Sequence, residues 1–308
     1  MSSSAPEIQI LDDSVVPFQL ADTNIRGRIV TLSASIDKIL QAHGYAPNIS
    51  ELTGEIACLV VLMGSSLKFD GKMILQAQGD GDVAMVVSDY NTSGEIRAMA
   101  KAEEGAPDER GRALLKNGHF AVTVDQGADM DRYQGVTPLE GDNMSDAAAA
   151  YFDQSEQIPT VFKISVGRVS QVGRDEQWRA RGLMLQIVPD GGAERARGEK
   201  EFLDAHVNEL WERSKLFLNT AKDDELLDPM VSSETLLFRL FHEDGVTVFD
   251  GKQIKANCHC NIDKIAAVLS RYDSAELNEM VVDGAIAVTC EFCRAQYDFS
   301  PDGKPMSA

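Results

Sequence analysis

LTGEIACLVVLMGSSLKFDGKMILQAQGDGDVAMVVSDY (52–90) changes its hydrophobic period half-way along, and that change sets the fold class. In its first half Leu52, Ile56, Leu59, Val60, Met63 and Leu67 recur at the spacing of one helix face. Asn48 or Ser50, just upstream, is the expected cap. Cys58 lies on this apolar helix and reads as a buried, inert thiol, since free Cys behaves as a small hydrophobe. KMILQAQ (72–78) and VAMVVSDY (83–90) then flank Gly79-Asp80-Gly81-Asp82, where Gly supplies the positive φ of a tight turn. A β-hairpin is expected there, with Asp80 and Asp82 as turn residues rather than calcium ligands.

Working outward, GRIVTL (27–32) reads as a strand running into a short helix over residues 35–43. Downstream, EIRAMAKA (95–102) and HFAVTVD (119–125) alternate as half-buried strands. A helix over 145–157 and paired strands over 160–172 and 178–189 complete an α+β domain ending near residue 190. GGAERARGEK (191–200) reads as a linker. After it, Phe202, Leu203, Val207, Leu210, Phe217 and Leu218 share one helical face, and Asp228-Pro229 separates that helix from another over 233–243. Two thin amphipathic helices must dock on something, and a docked element can be undocked. The expected organisation is a large N-terminal α/β core domain with an antiparallel sheet (1–192), a metastable helical linker (193–250) and a small C-terminal four-cysteine zinc domain (251–308).

The 308 residues carry 29 Lys and Arg against 49 Asp and Glu, a formal charge of −20. So negative a surface repels phosphate backbones and anionic lipid, so neither nucleic acid nor membrane is an expected partner. No apolar run reaches the ~20 residues of a bilayer span; the longest, 56–67, is bounded by Glu55 and Lys68. MSSSAPEIQILDD (1–13) lacks a basic segment followed by an apolar core, so no signal peptide is expected and the expected compartment is the cytoplasm.

The chemistry sits in the tail. Cys258-x-Cys260 and Cys290-x-x-Cys293, separated by twenty-nine residues, are spaced as two pairs of thiolates for one tetrahedral zinc ion. Four reduced core thiols and an iron–sulfur cluster are the weaker readings of the same spacing. His259 is not needed as a ligand, because four thiolates already complete the tetrahedron, and a closed site excludes a catalytic metal. From Ile254 onward five basic residues face eight acidic ones, which excludes a DNA-binding zinc ribbon. The Cys-x-x-Cys closes the chain instead of opening a βαβ unit, which excludes a thioredoxin-like enzyme. His43, His119, His206 and His242 have no Ser or Cys at catalytic spacing, and no phosphate-binding G-x-x-x-x-G-K-[ST] motif occurs. The intervening segment starts as a helix through Ile265, Val268 and Leu269, gives a second helix near 274–280 and a strand around 285–289. So small a unit takes most of its folding free energy from the metal. Spacing alone leaves open a permanent structural zinc in a constitutive interaction module and a switch in which oxidation breaks the ligand set.

GRIVTLSASIDKIL (27–40), LKFDGKMILQAQGDGDVAMVVSDY (67–90), RYQGVTPLEG (132–141), YFDQSEQIPT (151–160), LLFRLFHEDGVTVF (236–249) and CEFCRAQYDF (290–299) together resemble the heat-shock protein 33 family. The resemblance implies a redox-regulated, ATP-independent holdase chaperone and no enzymatic activity. It implies that Cys258, Cys260, Cys290 and Cys293 hold one Zn2+ per chain in a reduced, inactive state. Oxidation is then expected to form the Cys258–Cys260 and Cys290–Cys293 disulfides, release zinc and free the linker. The implied partners are unfolded or oxidatively damaged client proteins and a second copy of the chain on activation. His259 and Asn261 depart from the small polar residues that the family commonly has there.

Overall fold

The structure, a computed structural model, describes residues 12–306 apart from 22, 104, 106, 128, 129, 171, 172, 174 and 189–196. Residues 1–11 and the linker start at 191–196 therefore lie outside the described residues, as do the side chains of Phe202, Leu203 and Val207. Strands β1 (Ser14–Leu20) and β2 (Ile25–Leu32) lead into helices α1 (Ala34–His43) and α2 (Pro47–Ser66). Strands β3 (Lys72–Gly79), β4 (Val83–Asn91), β5 (Glu95–Ala102), β6 (Gly118–Asp125) and β7 (Tyr133–Pro138) follow. Then come α3 (Met144–Tyr151), β8 (Thr160–Val169) and β9 (Gln177–Ile187).

The expected hairpin is present, with Leu75 opposite Ser88 across β3 and β4. The cap of α2 differs from expectation. The helix starts on Pro47, whose fixed φ suits the first helical position, after Ala46. Asn48 lies inside it, and its amide donates instead to the carbonyls of Pro107 and Glu109. The helix also extends beyond the 56–67 run: by length and mean hydropathy it is long and apolar enough to cross a membrane, but most of that window is buried in this protein.

What buries it is a pair of six-stranded sheets. One has the order β10-β1-β2-β9-β8, where β10 is Val246–Val248, and β11 (Lys252–Gln253) also pairs with β1. The other runs β12-β5-β4-β3-β6-β7, where β12 is Lys255–Ala256 and pairs in parallel with β5. Helices α1 and α2 fill the space between the sheets, where Leu52, Ile56, Val60 and Met63 meet Val30, Met184, Leu75 and Val86 in one cluster. Cys58 is fully buried there.

The period-2 alternation of β9 explains a second core. Trp178, Ala180 and Met184 point into the cluster around α1 and α2, whereas Leu183 and Leu185 point to the opposite face. That outer face is covered by α4 (Arg197–Thr220), α5 (Asp223–Leu227) and α6 (Ser233–Phe241). Trp211, Leu218, Leu226, Leu237 and Phe241 pack there on Val16, Phe18, Ile25, Ile29, Leu183 and Leu185. The Phe18 and Phe241 rings stack 5.9 Å apart. Gly27 is required beneath them, because a Cβ there would lie 2.1 Å from the Phe18 ring. The layers are thus helices α4 to α6, sheet, core helices, sheet.

The tail has its own small core. Helices α7 (Ile262–Leu269) and α8 (Ser274–Glu279) pack on the hairpin of β13 (Ile286–Thr289) and β14 (Gln296–Phe299). Leu269, Leu277, Ile286 and Phe299 are its buried residues. Local chemistry sets the helix starts: Asn261 caps α7 through Lys264 N–H, and Asp273 and Glu276 form a capping box on α8.

Candidate metal centre

Two knuckles build the site. The first follows β12 directly, with Cys258 and Cys260 on either side of His259. The backbone N–H of Cys260 is donated to the Cys258 sulfur. The second closes the β13–β14 hairpin. There Cys290 N–H donates to the Ala295 carbonyl and Arg294 N–H to the Cys290 carbonyl, both at 2.9 Å. Arg294 takes a left-handed φ of 62°, which turns the chain back after Cys293. The backbone N–H of Ala295 points at the Cys293 sulfur.

The twenty-nine-residue excursion thereby brings all four sulfurs within 4.8 Å of one another. Cys258 and Cys290 Sγ are 3.7 Å apart, and Cys260 and Cys293 Sγ 3.3 Å. A tetrahedron of zinc–sulfur bonds has edges of about 3.8 Å, so the donor set fits such an ion in number, type and size. Both of these close approaches join one knuckle to the other, so the two pairs face each other across a single site. The four donors would complete the coordination and leave no open position for a substrate.

As free thiols the four are not equivalent. Burial pushes Cys293 up to about 12 and also raises Cys258. Burial acts on Cys260 in the same sense, but bonds from the Tyr297 hydroxyl and the neighbouring sulfurs outweigh it and hold this thiol down at about 7. Tyr297 Oη lies 3.2 Å from Cys260 Sγ.

His259 points away from the sulfurs, and its Nε2 lies 3.2 Å from a Glu95 carboxylate oxygen. Three residues of the body reach the site: Glu95 and Arg97, which the sequence reading did not single out, and His43, which it set aside as lacking a catalytic partner. Glu95 also accepts a 2.8 Å bond from Asn257. His43 Nε2 lies 3.0 Å from the Phe292 carbonyl oxygen. Arg97 lays its guanidinium 3.9 Å from the Phe292 ring centroid, with Nη1 4.0 Å from Cys258 Sγ. Residues far apart in the chain give no periodicity or motif, which is why these three were not legible.

A layered α+β body carrying a separate four-thiol centre defines a class: a protein with a thiol-based metal or redox site and no catalytic vacancy. The family model described as Hsp33 protein matches residues 13–300. A 33 kDa chaperonin of Caulobacter vibrioides is 44% identical, covering 98% of this chain and all of that one. Those of Vibrio cholerae and Colwellia psychrerythraea are 33% and 31% identical, over 90% and 92% of this chain and 89% and 92% of theirs. A solved structure of the 33 kDa chaperonin from Thermotoga maritima is similar in fold, with a TM-score of 0.75 at 21% identity, over 94% of this chain and 96% of that one. The chain belongs to the Hsp33 family, whose members are named for a chaperone role and not for an enzymatic one.

Proposed function

We propose that the protein is a redox-controlled, ATP-independent holdase that keeps unfolding and oxidatively damaged proteins from aggregating. The observation that carries the reading is the quartet of sulfurs at tetrahedral distances in a unit with only four buried apolar side chains among the described residues. Cys258, Cys260, Cys290 and Cys293 would hold one Zn2+, which when bound supplies a structural cross-link. The division into a core domain (1–192), a linker (193–250) and a redox-switch domain (251–308) belongs to the same proposal.

On oxidation, Cys258 pairs with Cys260 and Cys290 with Cys293. Each pair of thiolates gives two electrons to one peroxide, which takes up two protons from solvent, so that one S–S bond forms, the O–O bond breaks and two waters leave. Four donors become none, and the tail loses its cross-link. Helices α4 to α6 then lose their docking and uncover the apolar face of Phe18, Ile29, Leu183 and Leu185, which suits unfolded clients. Activated chains pair as homodimers. The −20 charge keeps the opened protein soluble and away from nucleic acid and membranes, and a reducing cytoplasm suits four free thiols.

The test is suppression of client aggregation before and after peroxide at raised temperature, with zinc release followed by a chromogenic chelator. Protection is expected only after zinc has left. Equal protection by the reduced and oxidised forms would overturn the switch and leave a constitutive, zinc-stabilised interaction module.

A further inference from the structure

Arg97 stands on β5, 161 positions before Cys258, yet it touches both knuckles of the metal centre. Its Nε bonds both oxygens of Asp89, at 2.8 and 3.0 Å. Asp89 is buried and also lies 3.3 Å from Lys72 Nζ, so the guanidinium plane is fixed from behind. One face of that plane is covered by Phe292, the residue between Cys290 and Cys293. The far side of the second knuckle is held by His43, whose ring stacks on Tyr45 at 4.6 Å. Tyr45 is itself tied to β5, its hydroxyl donating to the Ala100 carbonyl at 2.7 Å. The first knuckle is drawn to the same strand by β12, whose Lys255 and Ala256 pair with Glu95 and Ile96.

From this arrangement we infer that Arg97 is a positioning residue of the metal centre supplied by the body, and that it couples metal retention to docking of the tail. Four thiolates around a divalent ion carry a net charge of −2, in a protein that is already strongly acidic. A guanidinium against a ligand sulfur favours the loaded, fully deprotonated set. The Phe292 contact is made only when the second knuckle is folded around its two cysteines. Linkage then requires reciprocity: whatever factor the metal adds to docking, docking adds to metal affinity. The inference rests on the proposed zinc site and goes beyond it, because it assigns part of the ion's retention to a residue outside the tail.

The test uses full-length, reduced, zinc-loaded protein, with neither oxidant nor client. Chelator-driven zinc release is followed by absorbance, and hydrogen exchange is followed on β5 and at Asn257. Arg97→Ala is expected to release zinc on the order of 10-fold faster and to lose protection at these amides. Its initial stoichiometry stays at one zinc per chain. Arg97→Lys, which keeps the charge but loses the flat stacking face and the paired bonds, restores only part of the effect. Phe292→Leu breaks the contact from the tail side without touching the body, and decides the matter where Arg97→Ala does not fold. Combining the two changes is expected to add little to either alone. Wild-type release rates in both variants, or fully additive effects, would overturn the inference. Failure of the redox switch in the aggregation assay leaves this outcome unaffected.

Discussion

Glu55 shows how a single side chain can carry a pH signature through the body. It is half-buried on α2, opposite the start of α3. Burial raises its pKa from 4.5 to about 7, and bonds from the Ser145 and Met144 backbone and the Ser145 hydroxyl only partly oppose this. The folded value lies above the unfolded one, so the stability tied to its protonated form is complete below pH 4.5. That stability drains away as pH rises to about 7. Glu55→Gln is expected to be more stable than the parent at pH 8 by roughly 1–2 kcal/mol, and close to it at pH 4. Urea unfolding of both proteins at the two pH values checks this; a pH-independent difference would contradict it. Cys58 offers the opposite case, a thiol that burial raises and that no solvent reaches. Alkylation of metal-stripped protein under native conditions is expected to modify Cys258, Cys260, Cys290 and Cys293, with Cys58 modified only after global unfolding. Its inertness was legible because an apolar helix face is a local pattern, whereas the role of Arg97 depends on a partner far along the chain.

Elements divide along the same line. The β3–β4 hairpin, the β8–β9 pair and the α7 and α8 starts were readable because turn and cap residues adjoin them in sequence. β10 and β11 were not, since their pairing with β1 joins residues more than 220 positions apart, such as Phe18 and Val248. The linker was readable as amphipathic, but not the polar obstacle under it. Arg181 on β9 is 1% exposed, bonds Thr31 through Nε, and has no hydrogen-bond partner for Nη1 among the described residues. Burial lowers its pKa to about 10 despite the attraction of Asp12, Asp228 and Glu234, the last two in the linker. A buried guanidinium so poorly paired opposes the closed state, because undocking returns it to water. Arg181→Met is therefore expected to hold the linker shut more tightly by about 1–2 kcal/mol. Slower amide exchange in α6 is the readout; faster exchange would show that Arg181 supports docking instead.

Over the whole molecule the described apolar residues fall into three clusters of very unequal size. The cluster between the sheets has the large apolar area that sustains a domain on its own, and the cluster under the linker borrows one face from it. Beyond Cys258 the tail has four buried side chains among the described residues, too few to offset the chain entropy of ordering about 45 residues. Chelation of the reduced protein should therefore act selectively. Amides of α7, α8, β13 and β14 are expected to lose nearly all protection, while those of α2, β3 and β4 keep theirs. The tail's loss corresponds to the order of 10 kcal/mol or more that thiolate-bound zinc supplies in small units. The linker should respond between these extremes, because β10 to β12 tie the segment between α6 and Cys258 to the edges of both sheets. Hydrogen exchange with mass-spectrometric localisation, before and after metal removal, separates the three regions in one experiment. If the stripped tail were as protected as the loaded one, hydrophobic packing and not the sulfur quartet would be holding it, and the link from oxidation to an opened linker would have no physical basis.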